Sequence, residues 1–321
     1  MKIFEQLQQI DRRWIYLVLA IAIFLPLIFP FNSPTYTTRP TEDIYRLVDS
    51  FTPPPGVAPI EHNRAFLLCF MHDASTMSEL FPMELALLRH AFERNIKVFT
   101  LTFLPTAAPL IDLAINTVRE EFPYVRSGVD YVNFGYKLGT LYLPIVLGMG
   151  EDIAAAVEID AEGRQISTLP IMTNIRNYNE MNLVIDFTGS SPGGAWLTYA
   201  RPRFGVNVAV GVTAVSAADA YPFLQTGQFI GMLAGLKGAA EYEKLVEVFA
   251  ATGRDFNPEI LRRERRNIEF SITNEDIPYS FKQARIGMNA QSIAHILIIV
   301  FILIGNIGYF VQKYSQNSEN Q

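Results

Sequence analysis

Two uncharged stretches, one near each end, constrain this chain more than any other feature. Residues 14–31 (WIYLVLAIAIFLPLIFPF) run for 18 positions without a charge, and residues 290–311 run for 22 in which His295 is the one titratable side chain. A helix needs about 20 apolar residues to cross a hydrocarbon core of roughly 30 Å, so each run is long enough to span a bilayer. Cleavage as a signal peptide is the alternative for the first run, but Phe29, Pro30, Phe31 and Asn32 end and follow it instead of small residues. A buried core helix is the alternative for the second, and its length and lack of a charged face argue against that. The sequence therefore predicts a short tail (1–13), a transmembrane helix (14–31), a Pro-rich linker (32–59), one α/β domain (60–285), a second transmembrane helix (290–311) and a closing tail (312–321).

Charge adds an orientation. In the end segments Lys2, Arg12, Arg13 and Lys313 oppose Glu5, Asp11 and Glu319, a net of +1, which leaves −7 of the overall −6 for the residues between. An acidic domain beside a bilayer has no electrostatic reason to bind nucleic acid. Arg12 and Arg13 abut the first apolar run while residues 32–38 are uncharged, so the positive-inside rule places the N-terminus in the cytoplasm and the domain on the extracytoplasmic side. Cys69, the single cysteine, excludes an internal disulfide and leaves the redox compartment open.

Between the runs, Pro34, Pro40, Pro53, Pro54, Pro55 and Pro59 break up residues 32–59, and the triple proline reads as a stiff spacer that lifts the domain off the membrane. A short helix over 41–50 interrupts this segment, with Ile44, Leu47 and Val48 on one face. Strands follow at 65–71 (AFLLCFM), 97–103, 131–136, 182–187 (NLVIDF) and 206–212, with helical periodicity over 75–95 and 107–122. Continuously apolar strands alternating with helices imply a mostly parallel sheet covered on both faces, in a doubly wound, Rossmann-like arrangement. Ligands in such sheets sit at the carboxyl ends of strands, which selects His72 and Asp73, Pro105 and Thr106, Tyr136 and Lys137, residues 188–194, and residues 213–216.

Gly189-Ser190-Ser191-Pro192-Gly193 follows a strand and matches the G-x-S-x-G nucleophile elbow. Its chemistry is incomplete. The residue after the nucleophile should donate a backbone N–H to an oxyanion, and Pro192 has none; the one later histidine is His295, inside an apolar run. The same loop reads as a strand-to-helix turn, with Thr188, Ser190 and Ser191 as helix caps, Pro192 at the first helical position and glycines for the tight path. Free N–H groups at such a turn suit an anionic ligand or a partner's carboxylate, and together with Asp73 at a neighbouring strand end, Thr188, Ser190, Ser191, Gly193 and Gly194 form the candidate ligand site. Gly148-Met149-Gly150 lacks the third glycine of a dinucleotide fingerprint, and Glu151 and Asp152 oppose a pyrophosphate there, so no nicotinamide or flavin cofactor is expected. Four scattered histidines and one cysteine offer no metal-ligand spacing.

Gly227, Gly231 and Gly235 recur every fourth residue, which in a helix over 221–245 would clear one face for close packing, either within the domain or with another subunit or span. Residues 257–267 (NPEILRRERRN) form a charged helix face, solvated or set against lipid phosphates. In the second apolar run Asn306 stands between Gly305 and Gly308, a combination that favours close pairing with another helix.

Gly227-Gln228, the segment 238–243 (GAAEYE), and the run from Ala290-Gln291-Ser292 to Gly305-Asn306 resemble an uncharacterised family of prokaryotic two-span membrane proteins with an α/β domain between the spans. That resemblance implies the two-span layout and carries no activity or residue role. Three functions fit the residues: a non-catalytic module that assembles with other membrane proteins or with itself, through the glycine face and Asn306; a ligand-sensing or solute-binding domain with its site at the strand ends; and a hydrolase using Ser190 or Ser191.

Overall fold

Strands that are apolar on both faces need cover on both sides, and the helices between them supply it. The computed structural model describes residues 11–31, 34–266 and 282–319. The chain divides into two units, residues 34–284 and residues 1–33 with 285–321. The first unit is built on a parallel sheet of β1 (Ala65–Met71), β2 (Lys97–Thr102), β3 (Tyr131–Tyr136), β4 (Leu183–Thr188), β5 (Asn207–Val212) and β6 (Met232–Ala234), in the order β3-β2-β1-β4-β5-β6. This is the doubly wound order, and its direction of winding reverses between β1 and β4. The register pairs Cys69 with Asp186, Phe70 with Phe187 and Met71 with Thr188 across that reversal.

In chain order the helices are α1 (Arg12–Ile28), α2 (Arg39–Asp49), α3 (Met77–Glu93), α4 (Ala108–Glu121), α5 (Tyr142–Gly148), α6 (Ile153–Val157), α7 (Arg201–Phe204), α8 (Ala217–Gln225), α9 (Gly235–Leu245), α10 (Pro258–Arg266) and α11 (Gln283–Glu319). One face of the sheet is covered by α3, which packs against α4 and α9, with α2 laid on α9. Gly211 on β5 leaves the room that Phe187 and Met83 fill on this side. The other face joins Leu67, Cys69, Phe99, Val132 and Val208 in one core with Ile145, Tyr178, Trp196 and Ala220.

The five expected strands all form within a residue or two of their expected ends, whereas three expectations change. The short helix expected over 41–50 forms as α2, but it packs into the domain instead of lying in a linker. Ile44, Tyr45 and Val48 are fully buried and Phe51 nearly so; the Tyr45 ring stacks on His90 at 4.2 Å, and Asp49 accepts from Arg94 at 2.9 Å. Pro40 does not prevent the helix, because it lies in the first turn of α2, where no N–H is needed. The unit accordingly starts at residue 34 instead of 60.

The glycine-faced helix over 221–245 does not exist. The segment is α8, a turn, β6 and α9, and the fourfold spacing comes from three separate needs: Gly227 (φ +71) turns the chain after α8, Gly231 leaves no room for a Cβ against Pro40 O and Ile44, and Gly235 (φ +57) opens α9. Gly227, Gly231 and Gly235 therefore present no common face to a partner. Pro192 also lies outside the helix it was expected to start, since helical backbone begins at residue 194.

Residues Gln283–Phe310, which from Arg285 on belong to the second unit, make a helix long and apolar enough to cross a membrane, with 6% of its most apolar window buried. It starts seven residues before the apolar run. Of the two expected spans this C-terminal one meets the requirement; α1 has 17 residues with Pro26 inside, about 25 Å at ~1.5 Å per residue. Asn289 Nδ2 donates to Phe31 O at 2.6 Å within this unit.

Candidate functional site

At the reversal, the β1–α3 turn and the β4 turn come together at the carboxyl edge of the sheet. A Cβ on Gly189 would stand 2.7 Å from Thr76 Cγ2, so the two turns touch and Thr76 would have to turn aside for any side chain at residue 189. Asp73 shapes the first turn: its Oδ1 accepts from Ser75 N at 2.8 Å and Ser75 Oγ at 2.6 Å, and these bonds hold its exposed carboxyl below the usual carboxylate range. Thr188 shapes the second by accepting from Ser190 N at 3.1 Å, with Ser190 Oγ 3.3 Å away. The β5 loop closes the third side, where Ser216 Oγ donates to Gly189 O at 3.0 Å and Ala214 N donates to Glu79 Oε2 at 2.8 Å. Asp73, Thr188, Ser190 and Ser191 thus belong to neighbouring turns, with Gly193 and Gly194 completing the path into the following helix.

Beneath the 189–194 turn lies a buried polar cluster that sequence reasoning missed. Asp186 is 2% exposed, and its Oδ2 accepts from Gly193 N at 3.0 Å. Tyr142 Oη accepts from Ala195 N at 2.9 Å, and the Tyr142 ring packs edge-on against Trp196. Asp186 Oδ1 and Trp196 Nε1 are buried with no well-formed hydrogen bond, and the Cys69 thiol interacts with both. Burial pushes the Asp186 carboxyl up to about 7, against the opposing pull of Gly193 N–H and Cys69. Burial and the Asp186 charge likewise push the Cys69 thiol well up, so it stays protonated and unreactive. The sequence did carry a signal, a single carboxylate inside the apolar strand LVIDFT, but the register against Cys69 was needed to read it.

Two chemical consequences follow. The turn's amide N–H groups at Gly193 and Ala195 are already bonded to Asp186 and Tyr142, and a carboxylate sits where an anion would be drawn, so the turn is poorly suited to phosphate. The first βα turn, which in dinucleotide-binding sheets is glycine-rich, is here Asp73-Ala74-Ser75-Thr76. Serine hydrolysis has no support in the geometry either. The Ser190 hydroxyl faces Thr188, while His72 turns its Nε2 to Glu84 Oε1 at 2.5 Å between sheet and α3; Glu84 drives the His72 pKa upward against the effect of burial. Among the described residues no group of three or more His, Cys, Asp or Glu could hold a metal ion.

A separate open depression of about 540 Å³ lies near the amino ends of β1 and β4, lined by Glu61, Asn63, Asn174, Arg176 and Glu180 together with Met172 and Ile175. Its polar walls are surface side chains, and it has no buried unpaired group. Compared with known proteins, the chain matches no family model, no curated protein and no solved structure.

Proposed function

We propose that the chain is a membrane-anchored α/β module that binds a small polar ligand, neutral or cationic, in the crevice between β1 and β4. The observation that carries this reading is the reversal of strand order at β1/β4, which sets Asp73, Thr188 and Ser190 side by side over a buried, incompletely bonded Asp186. Crevices at such reversals are where doubly wound sheets take their ligands. The exposed Ser190 hydroxyl and Asp73 carboxylate at the rim, with the amides of Gly193 and Ala195 occupied, favour polyols, sugars or amines over phosphates. Thermal-shift measurements on the full chain in detergent test it. A sugar, polyol or amine should raise the transition temperature where inorganic phosphate does not, and Thr188→Val, Ser190→Ala or Asp73→Asn should abolish the rise. Shifts untouched by all three substitutions exclude this location.

In the same reading both α1 and α11 cross the bilayer, as in the two-span family that the sequence resembles, with the α/β unit on the extracytoplasmic side because Arg12 and Arg13 abut the apolar run of α1. Cys69 is buried, so one cysteine introduced at Val215, which is 87% exposed, reports the side. Val215→Cys should react with a membrane-impermeant maleimide in intact cells; reaction only after lysis reverses the orientation. A second reading, assembly with another membrane protein or a second copy, is favoured by Gly305, which has open space where a Cβ would stand, and by Asn306, exposed on an apolar helix. Co-purification of a stoichiometric partner or an oligomer that Asn306→Leu abolishes supports it, and a monomer with both sequences removes it.

A further inference from the structure

The helix that opens at the crevice also holds both ends of the α/β unit. α9 and the turn after it carry Glu241, Glu243, Lys244 and Glu247, each 2% exposed or less. Buried ions are unfavourable unless they are paired and hydrogen bonded, and an apolar helix would pack here as well or better. Glu241 pairs with Lys237 of α9 itself and Lys244 with Glu264 of α10; the other partners lie in the segments that enter and leave the unit. On the entering side, Glu241 accepts from Thr38 N at 2.8 Å, Thr38 Oγ at 2.6 Å and Thr41 Oγ at 2.9 Å, and Lys244 donates to Thr35 O while pairing with Glu264 at 2.6 Å. On the leaving side, Glu243 accepts from Ala284 N at 2.8 Å and Glu247 lies 3.6 Å from Lys282. Ala284 is already part of α11.

At its other end α9 begins on Gly235 in a left-handed conformation, where a Cβ would be 2.9 Å from both Ala214 Cβ and Glu79 Oε2. Those two residues belong to the crevice, joined by the Ala214 N bond to Glu79 and, two residues on, by Ser216 to Gly189. The 11 residues of α9 cover about 16 Å between these anchorages.

We infer that α9 is a coupling element: it fixes the crevice loops and the two segments that enter and leave the unit in one arrangement, so that displacing either segment resets the loops and disturbing the loops loosens the segments. The coupling is reciprocal by thermodynamic necessity. It rests on the packing of α9 and stands whether or not the crevice takes a ligand.

Amide hydrogen exchange on the full chain in lipid nanodiscs tests it from both ends. Glu241→Gln perturbs the segment end and Glu79→Gln the crevice end. Glu241→Gln should speed exchange about fivefold, the factor that ~1 kcal/mol produces, in residues 34–41 and equally in 189–194 and 213–216, with β1 and β2 unchanged. Glu79→Gln should do the same in residues 34–41. A response confined to the mutated end in either variant overturns the inference. If Glu241→Gln also opens β1 and β2, Thr38→Val, which removes one hydroxyl from Glu241, decides by the same criterion.

Discussion

Asp186 sits in β4 with one oxygen bonded to Gly193 N and the other without a well-formed partner, and its burial has a pH signature. Its folded pKa, about 7, exceeds the ordinary 3.8, so between those values the folded chain keeps a proton that the unfolded chain has released. Stability contributed at this site is present at low pH and lost as pH rises through 7, at roughly 1.4 kcal/mol for each pH unit that separates the two values. Asp186→Asn should therefore be more stable than the parent at pH 8, with the advantage gone at pH 4; an offset independent of pH, measured by denaturant unfolding, refutes this. Gly193 makes a second test. It has φ +78 and a Cβ there would be 2.8 Å from the Phe229 ring, while Gly163 has φ +79 and open space. Gly163→Ala should cost ~1 kcal/mol from backbone strain alone, and Gly193→Ala ~1–3 kcal/mol more from the added overpacking. Of the site, the hydroxyl and glycine residues at strand ends were legible because strand ends are where apolar runs stop. The Asp186–Cys69–Trp196 cluster was not, because it depends on which strands are neighbours.

At the scale of elements, α2 and α9 are where sequence and structure diverge most. The short helix expected within the Pro-rich linker forms as α2, with Pro40 in its first turn, but it was read as part of a linker and instead buries Tyr45 completely in the α/β unit. Tyr45→Ala should cost ~3–5 kcal/mol, as for other buried large side chains, whereas Tyr45→Phe should cost at most ~1 kcal/mol, because the buried Tyr45 hydroxyl makes no well-formed hydrogen bond and interacts only weakly with Arg94 and the Ala250 backbone. On α9, Lys244→Met alone should destabilise by ~3–5 kcal/mol by stranding Glu264, and adding Glu264→Leu should recover most of that loss; a double variant as weak as the single one counts against the pairing seen at 2.6 Å. The glycine spacing misled because a period of four is indistinguishable in sequence from three unrelated backbone needs. β6 escaped notice because its three residues lie between two of those glycines. By contrast, the five longer strands were legible from short runs of apolar and β-favouring residues, since a strand covered on both faces carries few polar positions to blur its limits.

For the whole molecule, the apolar ends and the α/β middle were both readable from composition along the chain, and the sheet order needed the structure. Ile296, Ile302, Leu303 and Phe310 are each more than half exposed, a load of apolar surface that water does not tolerate on a monomer. The full chain should stay with membranes through alkaline carbonate washing and leave them only in detergent, and its recovery in the supernatant would refute the anchored layout. The grip of α9 on Thr35 and Ala284 has an architectural consequence as well. Start and finish of the α/β body, Thr35 and Ala284, bond to adjacent residues of a single helix, Lys244 and Glu243, so its two ends lie close together. A few added residues could join its natural ends, and new termini cut elsewhere would give a circularly permuted version free of its greasy legs.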